Sequence, residues 1–189
     1  MKNIAIFASG TGSNAKKIVE HFSNQESIKI ALIVSNKATA KVLDMARENN
    51  IPTLIINRID FYQSESLLID FKKHQIDFVA LAGFLWLIPT YLIEAFPNKM
   101  INIHPALLPK YGGKGMYGHH VHEAVFKNKE MESGITLHYV NEQYDEGHII
   151  FQAACPVAIT DTPSDIARNV LKLEHYYFPR ILRSLLNDT

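Results

Sequence analysis

Little in this chain invites cross-linking, membrane insertion or polyelectrolyte binding. Cys155 is the only cysteine in 189 residues, which excludes an intrachain disulfide and a cysteine-built zinc knuckle; a reducing compartment is the expected setting. Neither charge sign is in excess: 19 Lys and Arg face 19 Asp and Glu, for a formal net charge of +0. A broad cationic face for duplex nucleic acid is therefore not expected, although a local basic pocket is compatible with that balance. No apolar run approaches the roughly 18 residues that a spanning helix requires. The first run, Ile4 to Ala8, is also too short for the core of a secretory signal, and a soluble cytoplasmic protein is expected. Repeats and low-complexity linkers are lacking too. With 47% apolar and 10% aromatic residues, the composition disfavours disorder and suffices for a sizeable core.

The order of apolar runs carries the fold class. Lys2 to Ala8 is a short continuous run broken by Ser9-Gly10-Thr11-Gly12, the pattern of a buried strand. A helix follows Ser13-Asn14, with Ile18, Val19 and Phe22 on one face. Further strands are expected at Ile28 to Val34, Thr53 to Ile56, Asp77 to Ala82 and Met100 to Ile103. Helices are expected at Ala38 to Glu48 and at Phe61 to His74, with a short one after Gly83 that includes Tyr91 to Ile93. Strands alternating with helices predict an α/β fold, a doubly wound, mostly parallel sheet with helices on both faces. Beyond a glycine-rich loop, Tyr111 to Gly118, come a helix at His120 to Lys127, strands at Gly134 to Val140 and His148 to Val157, and a last helix near Pro163 to Leu186. Tyr176, Tyr177 and Phe178 are expected on that helix's core face. The chain is expected to form one domain over residues 1–189. Its N-terminal half, about residues 1–100, is expected to bind a phosphate or nucleotide, and about residues 101–189 to complete the site.

Two stretches carry chemistry. Gly10-Thr11-Gly12-Ser13-Asn14 sits between the first strand and first helix. Glycines there permit positive φ and close approach of a ligand, and the helix N-terminus suits a phosphate. The motif is neither GxGxxG nor a Walker loop, and a capped strand-to-helix turn is the plain alternative. The second stretch is Asn102-Ile103-His104-Pro105, at the end of an expected central strand, the edge where open α/β sheets bind ligands. Residues two apart share a face of a strand. An amide and an imidazole there suit stabilisation of an oxyanion. Asp145 lies in the loop Asn141 to Gly147; beside His104 it would favour the imidazolium. The plain alternatives are a satisfied histidine at a strand end and an ordinary turn aspartate. His119, His120 and His122 cluster with Glu123, and His119 and His122 have a spacing compatible with a metal, but a solvated or substrate-lining cluster fits as well.

With these residues in view, the chain resembles the phosphoribosylglycinamide formyltransferases, folate enzymes of purine synthesis. The resemblance runs through Gly10 to Asn14, Val34 to Ala38, Leu81 to Phe84, Ile101 to Pro109, Gly134 to Val140 and Asp145-Glu146-Gly147. It implies a formyltransferase fold and transfer of a formyl group from 10-formyltetrahydrofolate, a co-substrate, to the amine of glycinamide ribonucleotide, with no metal. It implies that Asn102, His104 and Asp145 are catalytic. Asn102 and protonated His104 bind the oxyanion, and Asp145 keeps His104 charged and orients a water. Gly12, Ser13 and Asn14 hold the substrate phosphate, and Glu174, in Leu173-Glu174-His175, contacts the ribose. Leu85, Trp86, Leu87 and Ile88, with Asn102, Asn141 and Tyr144, line the folate pocket. The implied partners are these two small molecules, without nucleic acid or membrane, in a monomer or weak homodimer. The chain departs from its relatives in the length of the loop Gly112 to Gly118, at Leu137, and in two places that bear on the folate. Trp86 stands where many of them carry an arginine, and no arginine lies between Ile59 and His74 to match one used near the folate's glutamate tail.

Other readings stay open on the residues alone. A dinucleotide oxidoreductase needs an acidic residue at the end of the second strand, which here reads Val34-Ser35-Asn36-Lys37. A ligand sensor that has lost the chemistry would not need Asn102, His104 and Asp145 together.

Overall fold

The computed structural model describes residues 1–187, which divide into two compact units, one of Met1–Ile101 and one from Asn102 onward. The first unit holds β1 (Lys2–Phe7), α1 (Ser13–Phe22), β2 (Ile28–Ser35), α2 (Val42–Glu48), β3 (Thr53–Ile55), α3 (Arg58–Gln63), α4 (Ser66–Lys73), β4 (Phe78–Leu81) and α5 (Thr90–Ala95). Strand β5 (Met100–His104) carries the chain from the first unit into the second. There, α6 (His119–Lys127), β6 (Glu132–Tyr139), β7 (Ile149–Pro156) and α7 (Pro163–Asn187) come in turn. The hydrogen-bonded order is β3-β2-β1-β4-β5 in the first unit and β5-β6-β7 in the second. Strand β1 is parallel to β2 and β4, β2 is parallel to β3, and β6 and β7 are antiparallel. This is the mostly parallel α/β architecture that the alternating runs predict.

The first unit's core follows from β1. Ile4, Ala5, Ile6 and Phe7 are all fully buried, as expected of a strand covered on both faces, and each large side chain contributes about 1.5–3 kcal/mol on burial. Phe7 meets Phe84 and Phe71 edge to face, with ring centroids 5.1 and 6.0 Å apart.

Two expectations need correction. The helix expected from Phe61 to His74 is two helices, α3 and α4. Ser64 is extended (φ −140°, ψ 161°). Its hydroxyl donates to the Asp60 carbonyl at 2.9 Å and accepts from the Ser66 N–H at 3.4 Å, so its side chain competes with the helical ladder. On α7, of the three aromatics expected in the core, only Phe178 belongs to it. Tyr176 is exposed, with the Arg180 guanidinium 3.8 Å from its ring centroid. Smaller differences fall at element ends; α2 begins at Val42 rather than Ala38, after a turn. No helix among the described residues is long and apolar enough to cross a membrane.

Candidate active site

The second unit assembles a buried polar cluster at the end of β5. Ile101 and Ile103 face the core, so Asn102 and His104 lie on the opposite face of the strand. The chain leaving β5 is fastened to β6 by Thr136. Its Oγ1 donates to the Ala106 carbonyl at 2.7 Å and accepts from Leu108 N–H at 3.0 Å. Gln152 on β7 completes the tie, donating to the Leu108 carbonyl and to Thr136 Oγ1. Gly134 leaves room for Leu107, whose Cδ2 would lie 2.7 Å from an added Cβ.

The structure brings Asn102, His104 and Asp145 together. His104 Nδ1 lies 3.3 Å from Asp145 Oδ2, with side-chain exposures of 4% and 10%. On the other side of the ring, Nε2 lies 2.7 Å from the Tyr111 carbonyl oxygen. Both partners only accept, so the ring satisfies both of them only as an imidazolium. Asp145 Oδ2 also accepts from the Gly113 N–H at 2.9 Å. Burial works against ionisation of Asp145. The hydrogen bond and charge of His104, with the Gly113 N–H, outweigh it and hold the carboxyl well below the usual carboxylate range. Asp145 sits at φ +59°, a conformation that aspartate adopts more readily than most residues; this points it back at β5.

Asn102 is held from two sides. Its Nδ2 lies 3.1 Å from His138 Nε2 and 3.4 Å from Asp145 Oδ1. His138 is buried on β6, and its Nδ1 lies 2.8 Å from the Tyr139 carbonyl oxygen. Sequence reasoning missed His138, Tyr111 and Gly113. His138 reads as one member of an apolar strand, and the other two act through backbone groups that no residue type announces.

In the first unit, Gly12 adopts φ +74° and no side chain caps α1. A Cβ on Gly12 would stand 2.5 Å from Val42 Cγ2, so both the backbone angle and the space demand glycine. The turn is fixed by Val42 N–H donating to the Gly10 carbonyl at 3.2 Å and Lys16 N–H to the Gly12 carbonyl at 2.8 Å. Ser13 and Asn14 open α1 directly after it. The segment Leu85 to Ile88 begins with Leu85 N–H bonded to Ser9 Oγ at 3.1 Å; Leu85 is exposed and Ile88 buried. Trp86 packs against Phe61 and Tyr62, centroids 5.6 and 6.2 Å apart. Arg58 reaches over the Tyr62 and Trp86 rings, its Cζ 5.6 Å from the Tyr62 centroid and 6.0 Å from that of Trp86. It stands one position before the window in which the sequence shows no arginine.

Of the remaining residues, Glu174 is buried on α7, Asn141 Oδ1 accepts from Gln143 N–H at 3.1 Å, and Tyr144 is half-buried in the same loop. The histidines of α6 diverge. His119 and His120 are exposed and face Glu123 at 3.1 and 3.6 Å, whereas His122 is buried with Nδ1 unpartnered among the described residues. Burial, then the charges of His119 and His104, push His122 down to about 4. The His119–His122 spacing therefore gathers no ligand set, and no metal-holding group of three or more His, Cys, Asp or Glu occurs among the described residues.

The chain matches the formyl transferase family model over residues 2–182. It is 42% identical to the chloroplastic phosphoribosylglycinamide formyltransferase of Arabidopsis thaliana, over 99% of this chain and 66% of that one. It thus spans about two thirds of the plant relative's length. It is 36% identical to the phosphoribosylglycinamide formyltransferase of Bacillus subtilis, over 98% of this chain and 95% of that one. The crystal structure of phosphoribosylglycinamide formyltransferase from Anaplasma phagocytophilum superposes with a TM-score of 0.89 at 34% identity, covering 98% of this chain and 87% of that one.

Proposed function

From the chain's membership of the formyl transferase family, we propose that it transfers the formyl group of 10-formyltetrahydrofolate to the amine of 5-phosphoribosylglycinamide, a step of purine synthesis. The observation that carries this reading is the cluster of half-buried Asn102, buried His104, and Asp145 in one hydrogen-bonded unit. The acceptor belongs to the reading because relatives of nearly the same length are named for it; the folate donor belongs to it through the family resemblance.

The chemistry uses groups of the kind the cluster holds. The neutral amine attacks the formyl carbon on N10 of the folate. A C–N bond forms, and the carbonyl π electrons move to oxygen as an oxyanion. The intermediate then collapses with cleavage of the C–N10 bond. One proton passes from the attacking nitrogen to N10, giving the formamide and tetrahydrofolate. His104, as an imidazolium, supplies positive charge for the oxyanion, and release of its Nε2–H from the Tyr111 carbonyl supplies a donor. Asp145 holds that charge in place and orients the water that relays the proton. Gly12, Ser13 and Asn14 take the substrate phosphate at the start of α1, and Glu174 takes the ribose. The folate is assigned Leu85 to Ile88 of the first unit and Asn141 and Tyr144 of the second. The reading includes a single domain, a cytoplasmic location, no nucleic-acid partner, and a monomer or weak homodimer.

The test is a formyl-transfer assay with purified protein, 10-formyltetrahydrofolate and glycinamide ribonucleotide, monitored by absorbance. Turnover that depends on His104 is expected. Folate binding without transfer to this acceptor overturns the choice of acceptor, and absence of folate binding overturns the whole reading.

A further inference from the structure

Donors and acceptors in the cluster can be counted to the last atom. Asp145 Oδ2 takes His104 Nδ1 and the Gly113 N–H. Asp145 Oδ1 faces Asn102 Nδ2 at 3.4 Å and His138 Nε2 at 3.6 Å. His104 Nε2 faces the Tyr111 carbonyl, and His138 Nδ1 faces the Tyr139 carbonyl. A carbonyl only accepts, so His138 carries its proton on Nδ1. In the neutral ring this leaves Nε2 as a lone pair, which needs a donor. That donor is Asn102 Nδ2, 3.1 Å away. The second hydrogen of the same amide points to Asp145 Oδ1. Both hydrogens of Asn102 are thus engaged, and its Oδ1 is the side-chain polar atom of Asn102, His104, His138 and Asp145 that makes no hydrogen bond among the described residues. Asn102 is also the half-buried member beside the buried His104 and His138.

We propose that Asn102 faces the reaction with Oδ1, as the acceptor for the attacking amine, and that His138 is the positioning residue that keeps the amide this way round. The sequence suggests the opposite use of Asn102, as an N–H donor to the oxyanion. With Oδ1 outward, Asn102 accepts one N–H of the incoming amine. This aims the nitrogen lone pair at the formyl carbon and favours the ammonium character that develops as the C–N bond forms. The oxyanion is then left to His104. The role given to the amine rests on the proposed formyl transfer; the orientation of the amide does not.

The two are separated by observing the resting enzyme first. In protein labelled with 15N at histidine and asparagine, the ring nitrogens of His138 are expected to report a proton on Nδ1 and none on Nε2. The Asn102 amide hydrogens are expected to exchange slowly, with a scalar coupling from Nδ2 to His138 Nε2 through the hydrogen bond. A protonated Nε2 on His138 overturns the proposal whether or not the enzyme turns over. Kinetics then test the role. His138→Phe removes the acceptor for Asn102 and is expected to raise KM for the amine substrate or lower kcat by about tenfold or more, as for groups that orient a reacting side chain, while KM for the folate is unchanged. His138→Gln offers a carbonyl to Asn102 Nδ2 and is expected to recover much of that loss. Equal damage in both variants, with both KM values shifted together, means that His138 is merely structural and overturns its positioning role. An inactive wild-type enzyme whose His138 carries its proton on Nδ1 overturns the proposed formyl transfer and leaves the amide orientation standing.

Discussion

Strands β1 and β5 end in the same kind of place, the carboxyl end of a strand inside the sheet, and they equip it by opposite means. Strand β1 gives its side chains to the core, with Ile4 to Phe7 fully buried, and the turn after it offers mainly backbone polar groups. Strand β5 keeps Ile101 and Ile103 for the core and turns Asn102 and His104 the other way. One site is made of main chain shaped by glycine, the other of side chains wired to one another. A backbone site fails through conformation and space; a side-chain site fails through loss of a named group. Substitutions at the two ends should therefore differ in what they damage, with chemistry lost at β5 and folding and binding lost at β1.

The sharpest break in that contrast comes from β5. His104→Ala or Asp145→Asn is expected to lower kcat by about 10² or more; normal turnover in either variant removes that residue from the mechanism. Next is Gly12→Ala. It forces an L residue to φ +74° and puts its Cβ 2.5 Å from Val42 Cγ2. A loss of about 1–3 kcal/mol is expected in denaturant titration, partly recovered by adding Val42→Ala, which opens the space but leaves the φ cost. A double variant no better than the single one shows that the backbone angle alone matters. Ser13→Ala is milder. It is expected to raise KM for the phosphate-bearing substrate about tenfold with kcat unchanged, the signature of lost uniform binding, and an unaltered KM takes the phosphate away from this turn.

A further effect is read in pH. His122 titrates at about 4 in the fold and near 6.5 when unfolded. Between those values the unfolded state binds more protons, so stability falls as the pH is lowered through that window. Asp145, held below its ordinary range, contributes stability above about pH 4 that is lost on further acidification. Melting temperatures across this range should decline less steeply in His122→Gln, and a parallel decline acquits His122.

The same contrast explains what could be read in advance. Strand β1 was legible because a run such as Ile4 to Ala8 can only be buried. Asn102 and His104 were legible because amide and imidazole alternate with isoleucine, a pattern a core strand has no use for. The break at Ser64 was not, since Ser64 and Glu65 suit a helix and only the hydroxyl's choice of partner ends it. The Tyr111 carbonyl and Gly113 N–H were hidden because they belong to the backbone. His138 was hidden because its neighbours on β6 are apolar.

One irregularity in the β6–β7 hairpin sets how the chain can vary in length. The register moves by one residue at His138, which pairs with Ile149 while Leu137 pairs with Phe151, and Gly147 lies so close to Tyr139 that a Cβ would overlap its carbonyl oxygen. Surface loops usually absorb insertions and deletions. This one is pinned at both ends with Asp145 between them, so adding or removing a single residue from Asn141 to Ile150 would carry the carboxylate out of reach of His104. Among functional variants, length changes should gather in loops such as that between α4 and β4 and be absent from this hairpin.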